Sequence, residues 1–515
     1  MSTKPNRYVY CCVACAALNS VLLGYDIGVA GGAMYIARDV LSLTDIQTEV
    51  ILASLNFAAI PGAITARWIS DNYGRTKTLA LASVFFLFGS ILMTIANSFM
   101  FLLLGRIILG FGVGTGLSID PLYISEISPP GSRGTLVSWS EMAINIGIMT
   151  GFITTYLLNA YNPTVSWRIM FSIGGILPVV MLFLSLCVMP ETPRYLAKTN
   201  QMQQAKIVLE RLCNTKEQVE LILNDLKNEK KKRALLKDTS FFQLLTHSDR
   251  TIRYMILIVL FVAAAQQICG VEAFMYYTPF MLNQFGFKAR SEILGITAMM
   301  GLSKTVTLFF VGCLLDTKGI GRRRMLLWSY IGMSISLLVL AFGSSLFERG
   351  IVIVSIFSYV IFFSIGAGPV TWLFASEIMP TEVRAQGMVL ATTVNRLCGG
   401  IIGLTFLSAS TTSAGSSFVA FSIVCFIFAI VCYYYCPETQ YKTLEEMYSL
   451  FEKITNTRRG VQRVRQGKNG VQPLSRQEID TNGMNEVITN GNGIEIVVPM
   501  NDAGEKVLKS DTCLC

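Results

Sequence analysis

Apolar positions in this chain come in long unbroken blocks. They show neither the alternation of a half-buried strand nor the one-sided spacing of a soluble amphipathic helix. Twelve blocks run over Tyr8–Met34, Glu49–Ile69, Lys77–Asn97, Met100–Ile124, Thr135–Asn159, Trp167–Met189, Thr251–Asn283, Glu292–Leu315, Met325–Leu346, Ile351–Ser376, Ala385–Ser410 and Ser416–Cys436. Each exceeds the ~18 residues a helix needs to cross a hydrocarbon core roughly 30 Å thick. The pattern predicts an all-α membrane protein with twelve transmembrane helices. Many blocks hold interior glycines, which let helices approach closely in lipid. The first block lacks a small-residue cleavage site and reads as an uncleaved signal anchor. Two polar stretches are long. Pro193–Arg250 predicts short amphipathic helices, and the tail after Pro437, rich in Gly, Asn, Gln and charge, predicts disorder beyond about Lys453. The expected domains are a six-helix bundle over 1–192, a helical linker over 193–250, a second six-helix bundle over 251–436 and a tail over 437–515.

Composition removes other classes. Of 515 residues, 52% are apolar and 15% charged, with a mean hydropathy of +0.52; soluble domains carry about 25% charged residues. Most cysteines lie inside apolar blocks, including the CxxC spacing of Cys12 and Cys15, which reads as membrane-helix packing. The single histidine, His247, sits in the polar linker, so neither histidine metal ligation nor a nucleophile–histidine pair is expected. Gly110, Gly112, Gly114 and Gly116 imitate a nucleotide-binding loop, but they fall within an apolar block with no strand before them. The chain therefore reads as neither an enzyme nor a nucleic-acid binder, with no cofactor and no metal.

The net charge of +9 records topology. Arg67, Arg75, Lys77, Arg133, Arg322, Arg323, Arg324 and Arg384 fall in alternate short loops, while the opposite loops carry Arg38, Arg168, Lys288, Arg290 and Arg349. Positive loops face the cytoplasm, which predicts cytoplasmic termini and a cytoplasmic linker. The plasma membrane is the expected location, and a monomer the expected working form. The linker's Lys230-Lys231-Lys232-Arg233 reads as a solvated face near anionic lipid.

The two halves echo each other. Asp71-x-x-Gly74-Arg75 follows the second block, and Asp316 with Gly321-Arg322-Arg323 follows the eighth. Glu126 with Arg133 follows the fourth, and Glu377 with Arg384 the tenth. Pro190-Glu191-Thr192 follows the sixth, and Pro437-Glu438-Thr439 the twelfth. Two six-helix bundles related by a parallel repeat form the architecture of major facilitator transporters, with substrate between the halves near the midplane. The paired motifs lie at cytoplasmic helix ends. Asp71, Arg75, Glu126, Arg133, Glu191, Arg194, Asp316, Arg322, Arg323, Glu377, Arg384 and Glu438 are candidates for gate salt bridges that form when that side closes. Static anchoring of helix ends is the alternative.

Together these motifs resemble the sugar porter family over about Tyr8 to Leu450. They are Leu23-Gly24-Tyr25-Asp26-Ile27-Gly28, Asp71-x-x-Gly74-Arg75, Gly105-Arg106 followed by Gly110, Pro190-Glu191-Thr192-Pro193-Arg194, Gln266-Gln267 and Pro437-Glu438-Thr439. Ile144-Asn145-Ile146-Gly147, Phe363-Ser364-Ile365-Gly366-Ala367-Gly368-Pro369 and Val394-Asn395-Arg396 are most similar to the proton-coupled polyol/monosaccharide branch. The exit of the eighth block is two residues longer than the family pattern, the last motif lacks its usual glycine, and Glu272 stands where many relatives have Asn.

Ionisable side chains inside a membrane are costly and mark function by default. Asp26, Arg106, Glu141, Glu272, Lys304 and Arg396 lie well inside blocks, and their charges sum to zero when all are ionised. The resemblance implies that Asp26 faces Arg106 and is the proton-coupling carboxylate, with a permanent structural salt bridge as the alternative. It also implies a substrate site built from Gln266, Gln267, Tyr276, Tyr277, Trp372 and Asn395. Glu141 and Lys304 stand where ordinary sugar porters carry amides, and with Glu272 they suit the hydroxyls of an acyclic polyol or inositol. Alternatively, Glu272–Lys304 and Glu141–Arg396 are ion pairs that shape the cavity. The function this implies is symport of polyols and monosaccharides with protons by alternating access. A facilitative uniporter is the runner-up, and a nutrient sensor a third reading.

Overall fold

The structure is a computed structural model that describes residues 5–129, 132–233, 249–315, 321–346, 348–380, 383–412, 414–440, 446–455, 485–489 and 495–499. Twelve helical spans are long and apolar enough to cross a membrane, with mean hydropathies of 1.3 to 2.4. Spans 1 to 5 are Arg7–Leu41, Asp45–Tyr73, Arg75–Thr94, Phe99–Ile127 and Arg133–Leu158. Span 6 joins Pro163–Ile173 to Ile176–Phe183 and ends in a wider turn over Leu184–Val188. Span 7 joins Arg250–Ile268 to Val271–Gln284, and span 8 is Arg290–Leu315. Span 9 is Arg322–Leu346, and span 10 joins Arg349–Ile365 to Pro369–Ile378. Spans 11 and 12 are Arg384–Thr412 and Ala414–Tyr435. These match the twelve apolar blocks, most within a few residues; span 1 runs seven residues beyond its block. The linker forms the expected short helices, Pro193–Lys198, Met202–Leu212 and Lys216–Arg233. Their side is called the linker side below; Asn6, just before span 1, donates to the Arg211 carbonyl there.

Spans 7 and 10 are broken, and the breaks matter. A polar backbone group freed inside a membrane must find another partner. At Gly270 the backbone turns to φ 98°, left-handed, and the Cys269 carbonyl accepts from Tyr359 Oη at 3.0 Å. At Gly366–Gly368 span 10 opens before Pro369, and the Ala367 and Gly368 carbonyls accept from the Gln266 side chain. A break thus delivers backbone acceptors to the middle of the bundle.

Within the N-terminal half, spans 1 and 5 lock backbone to backbone. A Cβ on Gly28 would come within 2.2 Å of the Ile148 carbonyl oxygen, so no larger residue fits. The halves meet through spans 1 and 7, 2 and 11, and 5 and 8. Asn283 donates to Tyr35 Oη at 2.8 Å, and the Ser408 amide and hydroxyl donate to Glu49 at 2.7 and 2.5 Å. Nearer the midplane, Arg396 donates to Asn56 Oδ1 at 3.1 Å and Thr305 to the Asn145 carbonyl at 3.2 Å. These ties lie at the midplane or toward the side away from the linker, so the halves are closed together there.

The short helix at 446–455 buries Met447 and Phe451 and sets Tyr448 Oη 2.5 Å from Asp249 Oδ2, at the entry to span 7. The compact membrane unit ends at Phe451. In the separate unit from Glu452 onward, Asn485–Thr489 pairs antiparallel with Glu495–Pro499, Val487 opposite Val497. The rest of the tail expected to be disordered lies outside the described residues.

Candidate functional site

Three polar groupings are built into the apolar bundle. The first joins spans 1 and 4. Arg106 Nη1 donates to Asp26 Oδ2 at 2.5 Å, and the side chains are 0% and 6% exposed. Asp26 also reaches a small cavity lined by Tyr25, Phe86, Met93, Leu109 and Phe171. Arg106 Nε and Nη2 make no hydrogen bond. A guanidinium with five donors therefore spends one on the carboxylate and finds no other partner, so each charge of the pair depends on the other.

The second grouping lies between the halves. Gln266 donates to the two span 10 carbonyls at 3.0 and 2.9 Å and accepts from Asn395 Nδ2 at 2.8 Å. Gln267 donates to Asn395 Oδ1 at 3.1 Å, and its own oxygen stays unpartnered. Asn395 also accepts from Arg396 at 2.8 Å, so the residues form one fixed network. Arg396 sits 3.6 Å from Glu272 Oε1 and reaches Asn56 on span 2. The pairing is thus Glu272 with Arg396, not Glu272 with Lys304. Glu141 makes no ion pair among the described residues, with Lys304 and Arg396 the cations that act on it. Lys304 Nζ lies 3.8 Å from Met275 Sδ and 5.7 Å from the centre of the Phe363 ring. Around this network Gln267 Oε1 is buried without a partner, and Glu272 Oε2, Tyr276 Oη and Asn56 Nδ2 are buried with no well-formed hydrogen bond, Asn56 and Tyr276 both facing the Glu272 carboxylate. A buried polar atom left unpaired costs about 1–3 kcal/mol. This constellation of acceptors and donors matches the edge of a hydroxylated ligand. Tyr277 differs from Tyr276: its hydroxyl is given to the Gly403 carbonyl at 2.5 Å and its ring stacks on Phe406, which closes span 7 against span 11. Trp372 is half-buried on span 10.

The third grouping is duplicated at the linker side. Arg75 donates to both Glu126 oxygens at 2.9 and 3.0 Å, and Thr192 Oγ1 to Glu126 at 2.6 Å. Glu191 accepts the backbone N–H groups of Arg75 and Thr76 at 3.0 and 3.3 Å, capping the start of span 3. In the other half Arg322 donates to Glu377 at 3.2 and 3.1 Å, and Thr439 Oγ1 to Glu377 at 2.5 Å. Glu438 accepts the N–H groups of Arg322 and Arg323 at 2.7 and 3.2 Å. The glycine before each helix is required: a Cβ on Gly74 or Gly321 would meet the Glu191 or Glu438 carboxylate at 2.2 or 1.9 Å. Asp71 lies 3.6 Å from Arg75 and 3.3 Å from Lys198. Arg323 donates to the Tyr433 carbonyl and lies over its ring. Arg384 donates to the Met379 carbonyl at 3.2 and 3.0 Å, and Arg194 is exposed at the start of the linker. The Arg133 side chain and Asp316 lie outside the described residues. These bonds tie elements of one half to each other.

A profile of the family described as "Sugar (and other) transporter" matches residues 12–451. "Probable polyol transporter 4" of Arabidopsis thaliana is 35% identical over 82% of this chain and 81% of its own length. The chain belongs to the sugar porter family of the major facilitator superfamily. A D-xylose transporter of Levilactobacillus brevis is 29% identical over 80% of this chain and 88% of its own. Among solved structures, the proton:xylose symporter XylE superposes with a TM-score of 0.72 at 23% identity, covering 86% of this chain and 99% of XylE. This sugar porter is accordingly a multi-pass membrane protein with the major facilitator fold, and not an enzyme.

The sequence reading missed several buried polar residues of this family member. Glu49 stands at the edge of an apolar block, and it bridges the halves. Asn56 touches Arg396, yet an isolated amide within an apolar block gives no signal of its own. Asp120 carried the clearest overlooked signal, a carboxylate four residues inside the predicted end of the fourth block; it is 1% exposed.

Proposed function

We propose that this sugar porter carries polyols and monosaccharides together with protons by alternating access, with the linker side cytoplasmic and the plasma membrane as its location. The observation that carries the reading is the buried polar cluster of Gln267, Glu272, Tyr276 and Asn56 between the halves, beside a buried Asp26–Arg106 pair. A polyol exchanges its water shell for fixed partners of this kind. The polyol transporters at 35% identity and the proton:xylose symporter with the same fold support it. Gln266, Gln267, Glu272, Tyr276 and Asn395 hold the ligand, Trp372 covers its CH face, and Tyr277 follows the closure of span 7. Glu141 and Lys304 tune the choice of substrate.

Asp26 is the coupling carboxylate. While Arg106 is close, Asp26 is held as the anion. When the pair separates, the carboxylate is left in an apolar wall and takes a proton, and the neutral carrier changes access. Tyr276 lies within electrostatic reach of Glu272 and Arg396 and of Asp26 and Arg106, so it stands between the ligand site and the ion pair. The linker-side clasps join helix ends within each half and serve as their anchors while the halves move against each other.

The test is uptake of labelled sorbitol, mannitol, myo-inositol, glucose and xylose into liposomes holding the purified chain, with proton current recorded alongside. Polyol accumulation against its gradient, with an inward current that requires substrate, is expected. Equilibration without current would replace the symporter by the facilitative uniporter.

A further inference from the structure

Span 4 carries a second buried carboxylate that the Asp26 cycle does not use. Asp120 is 1% exposed and sits between spans 1 and 5. Ser20 of span 1 donates to Asp120 Oδ2, and the Ser140 hydroxyl of span 5 faces the same carboxylate. Asn19 packs on the preceding turn of span 4, so closely that a Cβ on Gly116 would collide with its amide. Asp120 Oδ1, Ser140 Oγ and Asn19 Oδ1 are all buried and make no hydrogen bond. Among the described residues the side chains that act on Asp120 are Ser20 and Ser140, and no charged one does. Every other carboxylate the sequence reading placed inside the membrane has a cation, Arg106 for Asp26 and Arg396 or Lys304 for Glu272 and Glu141.

An anion in such a place costs several kcal/mol, and two hydroxyls without a cation offset only part of it. A proton on the carboxyl removes that cost, and the resulting O–H can donate to the unpartnered Ser140 oxygen. We propose that Asp120 is a second protonation site of this carrier, exchanging its proton with the linker side. Its partner Ser20 lies six residues nearer the linker end of span 1 than Asp26, about 9 Å along the helix. The proposal rests on the symport reading for its role in transport, but the protonation itself does not.

Infrared difference spectra of the full chain in liposomes, recorded across a pH series, read the carboxyl directly. The wild type is expected to show a protonated-carboxyl band that fades as pH rises and that Asp120→Asn lacks. Identical spectra would overturn the proposal. If Asp120→Asn does not fold, Ser140→Ala decides: losing the facing hydroxyl shifts the band's midpoint by about one pH unit, and an unmoved midpoint overturns it. Loss of the band on replacing choline with sodium at fixed pH would make the site an alkali-cation site instead. In transport, Asp120→Asn should keep substrate exchange within about twofold and slow pH-driven net uptake about tenfold. If the wild type shows no pH-driven uptake, the symport reading fails while the band still decides the state of Asp120.

Discussion

The two halves of the carrier are alike at the linker side and unlike at the midplane. Arg75, Glu126, Glu191 and Thr192 repeat as Arg322, Glu377, Glu438 and Thr439 with the same partners, and a glycine lies under each capping glutamate. At the midplane the N-terminal half carries Asp26–Arg106, with Asp120 nearer the linker side, while the C-terminal half carries the Gln266–Gln267–Asn395 network and Arg396–Glu272. Duplication preserved what makes each half a folded unit, because a missing partner there leaves helix ends uncapped. The midplane groups are not needed twice. On the proposed reading, one half handles charge and the other holds hydroxyls.

The strongest way to break that division is Asp26→Asn. A proton entering with the membrane potential contributes about 2.3 kcal/mol per 100 mV, enough for roughly 50-fold accumulation. The variant is expected to lose this accumulation entirely while substrate exchange continues. Uphill uptake that survives in an energised vesicle would move coupling out of the N-terminal pair.

Gln267→Ala tests the other side of the comparison. Its free oxygen and its bond to Asn395 are both lost, so the KM for polyol should rise about tenfold, with the ratio of protons to substrate unchanged. A changed ratio with unaltered KM would mean that the halves do not divide the work. Next in size is the clasp. Arg75–Glu126 is 7% and 4% exposed, whereas Arg322–Glu377 is 11% and 24% exposed. Breaking a better-buried pair costs more. Glu126→Gln should therefore destabilise the carrier by ~1 kcal/mol more than Glu377→Gln, seen as the larger drop in melting temperature in detergent. Equal shifts would show that the two clasps carry equal load.

The twelve spans and the repeat were legible because lipid burial and helix capping each demand particular residues at particular places. The breaks at Gly270 and Gly366–Gly368 were not, since an apolar block stays apolar across a change of backbone direction. The clasp residues could be named from sequence, but not their partners. Glu126 stands seven residues from Arg133, yet it bonds Arg75, because span 3 starts beside the end of span 4. In the same way Arg396 chose Glu272 and Asn56 over Glu141. Pairing depends on which helices touch, and composition does not encode that. Asn56 and Asp120 passed unnoticed because one polar residue among many apolar ones is quiet until its neighbours are known.

Glu141 offers the finest test, because it belongs by sequence to the half that handles charge and by its neighbours to the half that binds. It sits on span 5, makes no ion pair among the described residues, and feels Lys304 and Arg396 from across the interface. A carboxylate accepts two hydroxyl hydrogens in charge-assisted bonds, and the amide of Glu141→Gln keeps one acceptor and adds a donor. The substitution should cut the preference for acyclic polyols over hexoses by about three- to tenfold, read as competing uptake of sorbitol and glucose, and leave pH-driven accumulation of whichever sugar is bound intact. An unchanged preference would return Glu141 to the N-terminal half as a group that only balances Lys304. Lost accumulation with an unchanged preference would make it a second member of the proton-handling set.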